Sequence, residues 1–151
     1  MADNDALREP TGPGNRTGQA GAPFGGPAPI LDRAFDADTL SALRADVLVG
    51  AELAGLPGRR VGDVVLAVHE LAANAVRHGA GEGRLRMWNL AGALRCQVDD
   101  GDPDASGRIV VDALSAMPGH GLWVVRQVAD QMQILSGPGG TRATVTFDLP
   151  A

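Results

Sequence analysis

The chain has no lysine; all 13 of its basic residues are arginine. A P-loop, which sets a lysine against the phosphates of a nucleotide, is therefore excluded, and so is a lysine Schiff base. Any nucleotide site must hold phosphate through backbone amides, arginine or a metal ion. Tyrosine is absent too, and two tryptophans and three phenylalanines are too few for a base-stacking platform. A net charge of −5 argues against a nucleic-acid binder, whose affinity rests on a basic footprint. The single cysteine, Cys96, cannot form an internal disulfide. No apolar run approaches a membrane span, and the N-terminus lacks the apolar core of a signal peptide. The expected setting is a reducing cytoplasm, with no membrane and no direct nucleic-acid partner.

At 151 residues the chain is one domain by length. Residues 1 to 29 are rich in glycine and proline and almost empty of large apolar side chains, so burial cannot offset their ordering entropy. They read as a disordered tail before a domain at 30–151. The domain is organised around the stretch from Val61 to Gly79. Val61, Val64, Val65, Val68, Leu71, Ala72, Ala75 and Val76 recur at three- and four-residue spacing, the apolar stripe of a helix lying on a core. Glu70 and Asn74 point away from that stripe, and Leu66 and Ala73 share their side, so something is expected to cover this second face. A ligand is one candidate. The plain alternative is a solvated face, with His78 and Gly79 as a cationic last turn and a left-handed cap.

Ahead of this helix, Ile30, Leu31 and Phe35 suggest a short strand. Asp36 or Asp38 then caps a helix with Leu40, Leu43, Val47, Leu48 and Ala51 on one stripe, ended by Gly55. Beyond Gly79 the period changes to two. Residues 84–90 and 93–99 alternate as an antiparallel hairpin, and Leu94, Cys96 and Val98 share its apolar face. Cys96 reads as core. Residues 99–119 form a long polar connection of the kind that makes lids. A helix follows from Leu122 to about Gln131, and strands at 133–135 and 144–149 close the domain. Helices paired with a mainly antiparallel sheet predict an α+β two-layer fold.

Several motifs can be weighed from their spacing. His69 and Glu70 suggest a zinc protease, but the second histidine of that motif would fall at Ala73. Gly119 and Gly121 before a helix resemble half a dinucleotide fingerprint, yet the third glycine position is Val124. The physical core of that idea survives: a helix N-terminus without side chains presents free N–H groups to phosphate. The alternative is a tight turn. Asp99 and Asp100 are either two solvated turn-formers or a carboxylate placed to accept from the amine of a purine. Asn74 offers the kind of hard oxygen that Mg²⁺ takes alongside water and phosphate. Glu70, one turn away, is suited to holding or deprotonating a hydroxyl.

In order, Glu70-x-x-x-Asn74-x-x-x-His78-Gly79, Val98-x-Asp100, Gly119-x-Gly121-Leu122 and Gly140-Thr141 resemble the boxes of the GHKL ATPase superfamily, which includes DNA gyrase and the histidine kinases. Within it the chain is most similar to the anti-sigma-factor serine/threonine kinases, or switch-protein kinases, over residues 30 to 150. The resemblance implies a Bergerat α/β sandwich with a lid at about 102 to 118. It implies ATP and Mg²⁺ as ligands, with Asn74 on the ion, Glu70 activating the attacking group and Asp100 on the adenine amine. Gly119, Gly121 and Leu122 fall in the phosphate box, Thr141 on the adenine side, and His78 within the first box. Implied partners are a sigma factor and a small antagonist protein, and a homodimer is suggested. The chain departs from the pattern in reading Asp100-Gly101-Asp102-Pro103 where glycines are usual. Its lid has one basic residue, Arg108. Retention of Glu70 points to a kinase; the thin lid points to a regulatory module that holds ATP and sequesters a partner without transfer. No dimerisation and phosphoacceptor helix precedes the domain, which disfavours a histidine kinase.

Deleting residues 1 to 29 is expected to leave melting temperature and ATP affinity unchanged. A fall of several degrees, or a loss of binding of about tenfold (about 1.4 kcal/mol), identifies the tail as a working part.

Overall fold

A computed structural model of the chain describes residues 27–101, 108–109 and 121–150; for 108–109 only the backbone is described. Its elements are β1 (Leu31–Asp36), α1 (Leu40–Ala54), α2 (Gly58–His78), β2 (Glu82–Leu90), β3 (Ala93–Gly101), β4 (Arg108–Ile109), α3 (Gly121–Val128), β5 (Gln131–Gly137) and β6 (Gly140–Asp148). The strands form one antiparallel sheet in the order β1-β2-β3-β6-β5-β4. The three helices lie on one face, giving the expected two-layer α+β sandwich of the Bergerat type.

The core is built where helix period and strand period meet. Val61, Val64, Val68, Leu71, Ala72 and Ala75 of α2 are buried together with Leu85 and Met87 of β2, Leu94, Cys96 and Val98 of β3, and Ala143, Val145 and Phe147 of β6. Each fully buried large side chain among these contributes roughly 1.5–3 kcal/mol. The alternation expected for 93–99 therefore holds, with Cys96 fully inside. Burial pushes its thiol up to about 12.

Several local expectations need correction. Neither Asp36 nor Asp38 is the N-cap of α1; that position is Thr39. Asp36 instead accepts from the backbone N–H groups of Asp38 (2.9 Å) and Thr39 (3.2 Å), forming an Asx turn one step ahead of the helix. Leu48 does not join the core stripe of α1 and is exposed. Gly55 does end that helix, at φ 102°. Helix α3 stops at Val128, three residues before the expected 131, because Asp130 N–H is taken by Thr146 carbonyl at 3.0 Å and the chain enters β5. The closing strands are longer than the apolar runs suggested, 131–137 and 140–148, since Ser136↔Thr141 and Gly137↔Gly140 pair across the turn. Within the expected lid, Arg108–Ile109 pair with β5 as an edge strand; the rest of 102–118 lies outside the described residues, as does most of the expected tail.

Arg60 ties the helix layer to the sheet. Its guanidinium donates to Asp63 (2.7 Å), to the carbonyl of Val128 at the end of α3 (2.8 Å) and to Asp130 (2.8 Å), and it lies 5.2 Å from the Phe147 ring centroid. The start of α2 and the end of α3 are thus pinned at one end of the domain.

Cys96 in the folded protein should resist a thiol-specific alkylating reagent at neutral pH, since the thiolate is both buried and disfavoured. Mass spectrometry should show labelling only after denaturant is added; rapid native labelling would mean that β3 opens on its own.

Candidate functional site

Alternation along the inner face of the sheet sets the floor of a cavity. Val98 and Asp100 of β3, Thr141 and Ala143 of β6, and Ile134 and Ser136 of β5 all face the helix layer there, and Leu71, Asn74, Ala75, His78 and Gly79 close it from α2, with Leu122 from α3. The cavity volume is about 320 Å³, at the small end of the range for ligand sites. Its walls are mostly apolar, with polar groups at Asn74, His78, Asp100, Ser136 and Thr141. That is the composition that fits a flat heterocycle with one or two polar edges.

Asp100 is held where two elements join. One carboxylate oxygen accepts from the Ala80 N–H at 2.9 Å, just past the end of α2. The other lies against Gly79, where any Cβ would overlap it and stand 2.8 Å from the Ala75 carbonyl. Gly79 has φ −111°, so it is not the left-handed cap anticipated from His-Gly. Its lack of a side chain is needed for the close approach of Asp100. Thr141, directly across from Asp100, shares a hydrogen bond of 3.3 Å with the Ser136 hydroxyl.

The expected cover on the second face of α2 is partly protein. A Cβ on Gly121 would stand 2.6 Å from Glu70 Oε1 and 3.6 Å from the amide atoms of Asn74, so the first turn of α3 lies against this pair. Ala73 is 4% exposed although it stands outside the core cluster, whereas Leu66 is open to solvent. Asn74 Oδ1 accepts from Arg77 at 3.3 Å.

Of the residues singled out in the sequence, Asn74, His78, Asp100, Leu122 and Thr141 line one cavity. Glu70 does not line it; it sits one turn along α2 beside Gly121. Gly119 lies outside the described residues. Leu71, Ala75, Val98, Ile134, Ser136 and Ala143 were missed as site residues. The available signal was strand alternation: continued one residue past the 93–99 run it sets Asp100 beside Val98, and the same parity in β5 and β6 gives Ile134, Ser136 and Ala143. Asp99, for which a solvated turn was one of two readings, is 7% exposed on the opposite face of the sheet. It is bound by Arg86 (2.8 Å) and Arg142 (2.6 Å). Among the described residues no group of three or more His, Cys, Asp or Glu side chains gathers as a metal site.

Residues 34–147 match the family described as histidine kinase-like ATPase domain. No curated protein matches. Among solved structures, the crystal structure of the RsbU and RsbW domains of Rv1364c from Mycobacterium tuberculosis is similar, with TM-score 0.57 and 22% identity, over 81% of this chain and 33% of that one. The chain thus spans about a third of the length of that protein, and the likeness is one of fold.

Gly79→Ala should lower stability by about 1–3 kcal/mol, the scale of overpacking against backbone, and should strip hydrogen-exchange protection from the Ala80 N–H because Asp100 has to leave it. If the melting temperature falls and Ala80 stays protected, Asp100 is not what holds that junction.

Proposed function

The chain belongs to the histidine kinase-like ATPase domain family, and from that premise we propose that it is a protein serine/threonine kinase of regulatory type. It binds ATP with Mg²⁺ and transfers a phosphoryl group to a serine of a small antagonist protein, and through that antagonist governs a sigma factor. The observation that carries this reading is the convergence of Asn74, His78, Asp100 and Thr141 from three separate elements on one cavity between the helices and the sheet.

Each residue has a part that its surroundings allow. Asp100, already fixed by Ala80 N–H, keeps lone pairs free to accept from the exocyclic amine of adenine, and Thr141 offers a hydroxyl on the same edge. Leu71, Val98, Leu122 and Ile134 exclude water from the flat faces of the base. His78 and Gly79 line the same pocket from the end of α2. Asn74 lies farther along the helix, and its amide oxygen is a hard donor of the type Mg²⁺ takes singly when phosphates and water complete its shell. A site with one such oxygen at the cavity wall, rather than a cluster of carboxylates, fits an ion that arrives with a nucleotide. Bound ATP supplies the transferred phosphoryl group, and the ion offsets the charge on its oxygens.

Glu70 lies one turn beyond Asn74. There its carboxylate accepts the proton of the partner's serine hydroxyl as the oxygen bonds to phosphorus and the bond to the departing ADP breaks. A second reading has its own support. Glu70 is off the cavity lining and against Gly121, so the protein could hold ATP and regulate by sequestering its partner with no transfer.

No helix among the described residues is long and apolar enough to cross a membrane. We propose a cytoplasmic setting, where ATP and a sigma factor are both at hand, and a homodimer as the working form.

Asn74→Ala and Glu70→Ala should fail differently. With Asn74→Ala, the part of ATP affinity that depends on Mg²⁺ should vanish in calorimetric titrations. With Glu70→Ala, binding should stay near wild type while transfer of labelled phosphate to the antagonist, obtained by pull-down, falls by about 10² or more, the usual scale for a positioned base. Tight binding of ATP and antagonist by the wild type, with no transfer in the presence of Mg²⁺, replaces the kinase by the sequestering module.

A further inference from the structure

Asp99 is a buried carboxylate on the face of the sheet that the helices do not cover. Beyond the apolar row Val98↔Ala143, the β3–β6 ladder has only three rows left: Asp99↔Arg142, Asp100↔Thr141 and Gly101↔Gly140. No large apolar side chain fixes these rows, and the last has no side chains at all. A strand end of this kind is weakly specified. A slip of one residue would turn Asp100 to the outer face and Asp99 to the cavity.

On the inner face the bond of Asp100 to the Ala80 N–H opposes such a slip; on the outer face the set of bonds on Asp99 does. Arg142 Nε donates to one oxygen at 2.6 Å, and Arg86 Nη2 and Gln97 Nε2 donate to the other at 2.8 and 3.0 Å. The carboxylate thus links three strands, β2, β3 and β6, in the row next to Asp100. Arg86 is itself braced, its guanidinium 5.8 Å from the centroid of the Trp88 ring, and its Nε is buried without a partner. Its bond through Nη2 goes to Asp99. Charge-assisted bonds to a carboxylate screened from water are among the stronger ones available to a sheet.

We propose that Asp99 is a positioning residue for nucleotide recognition: clamped by Arg86 and Arg142 on the outer face, it holds the β3–β6 register that keeps Asp100 and Thr141 turned into the cavity. This rests on the assignment of Asp100 as acceptor of the adenine amine. Asp99 touches no ligand and acts through its neighbour. The chain therefore carries two adjacent aspartates with opposite duties, one facing the base and one locking the strand that presents it.

The test is the ratio of affinities for ATP and for inosine triphosphate, which lacks the exocyclic amine, measured with the full chain. Asp100→Ala should reduce the wild-type preference for ATP by about tenfold or more, the scale of an unmade buried hydrogen bond. Asp99→Ala should reduce it comparably. Phe147→Leu, a core substitution away from the cavity lining that also lowers the melting temperature, should leave the ratio unchanged. In the double variant Asp99→Ala, Asp100→Ala, the ratio should fall no further than in Asp100→Ala alone, because the first residue acts only through the second. Arg142→Gln, which keeps the carboxylate and its bond to Arg86, is the milder variant to read if Asp99→Ala fails to fold, and should shift the ratio in the same direction by less.

A lost preference in Asp100→Ala with an unchanged ratio in both Asp99→Ala and Arg142→Gln overturns the positioning role and leaves the adenine assignment standing. An unchanged ratio in Asp100→Ala removes the adenine assignment and the positioning role with it. Equal loss of the ratio in Phe147→Leu makes the effect one of stability alone.

Discussion

The molecule turns on the meeting of Asp100 with the end of α2. A carboxylate at the end of a central strand accepts from the N–H of Ala80, just past the helix cap, and Gly79 beside it has no side chain to keep it away. This contact fixes the level at which the helix layer sits on the sheet, because α2 cannot slide without breaking the bond at Ala80. It also fixes which atoms the cavity presents. At the other end of the same helix, Arg60 bonds to Val128, Asp130 and Asp63. Helix α2 is therefore anchored at both termini, and its middle turns, with Glu70 and Asn74, are carried between two fixed points.

The cavity is a continuation of the core rather than a break in it. Leu71, Ala75, Val98, Leu122, Ile134 and Ala143 belong to the buried apolar cluster and line the cavity as well. Several of the lining residues are small, Gly79 and Ala75 on the helix side and Ser136 and Ala143 on the sheet, which leaves space there. Larger apolar side chains at Ala75 or Ala143 would bury more area and close the space. Sites that bind commonly keep such local under-packing, at some expense in stability.

Periodicity in the sequence carried most of this. The α2 stripe, the alternation of β3 and the glycine after α1 each follow from one repeating rule, and the structure agrees with them. Residue type alone was silent where two adjacent residues face opposite ways with equal chemistry. Asp99 and Asp100 are indistinguishable by type, and only the strand parity separates a buried clamp from a cavity group. Leu48 was assigned to a stripe by its apolarity, yet its angle on α1 carries it off the sheet. The end of α3 was illegible because it is decided by long-range bonds, Asp130 to Thr146 and Arg60 to Val128, which leave no local trace. The cover over Glu70 was inferred from an apolar face, but that Gly121 supplies part of it needed the tertiary arrangement.

The same parity gives the sheet two different chemistries. Its inner face is mostly apolar, with polar groups at Arg33, which pairs with Asp46 of α1, and in the cavity at Asp100, Ser136 and Thr141. Its outer face carries Asp32 with Arg84 and Asp99 with Arg86 and Arg142. The Arg84 guanidinium bonded to Asp32 holds that carboxyl below its ordinary range. Such a depressed group contributes stability above the unfolded carboxylate range and loses it as pH falls through the folded value. Exposed pairs of this sort contribute little individually. The buried Asp99 is different, because removing its charge would leave two arginines without their shared acceptor. Electrostatics on the outer face and packing on the inner face thus act on the same strands, and at β3 they act on adjacent residues.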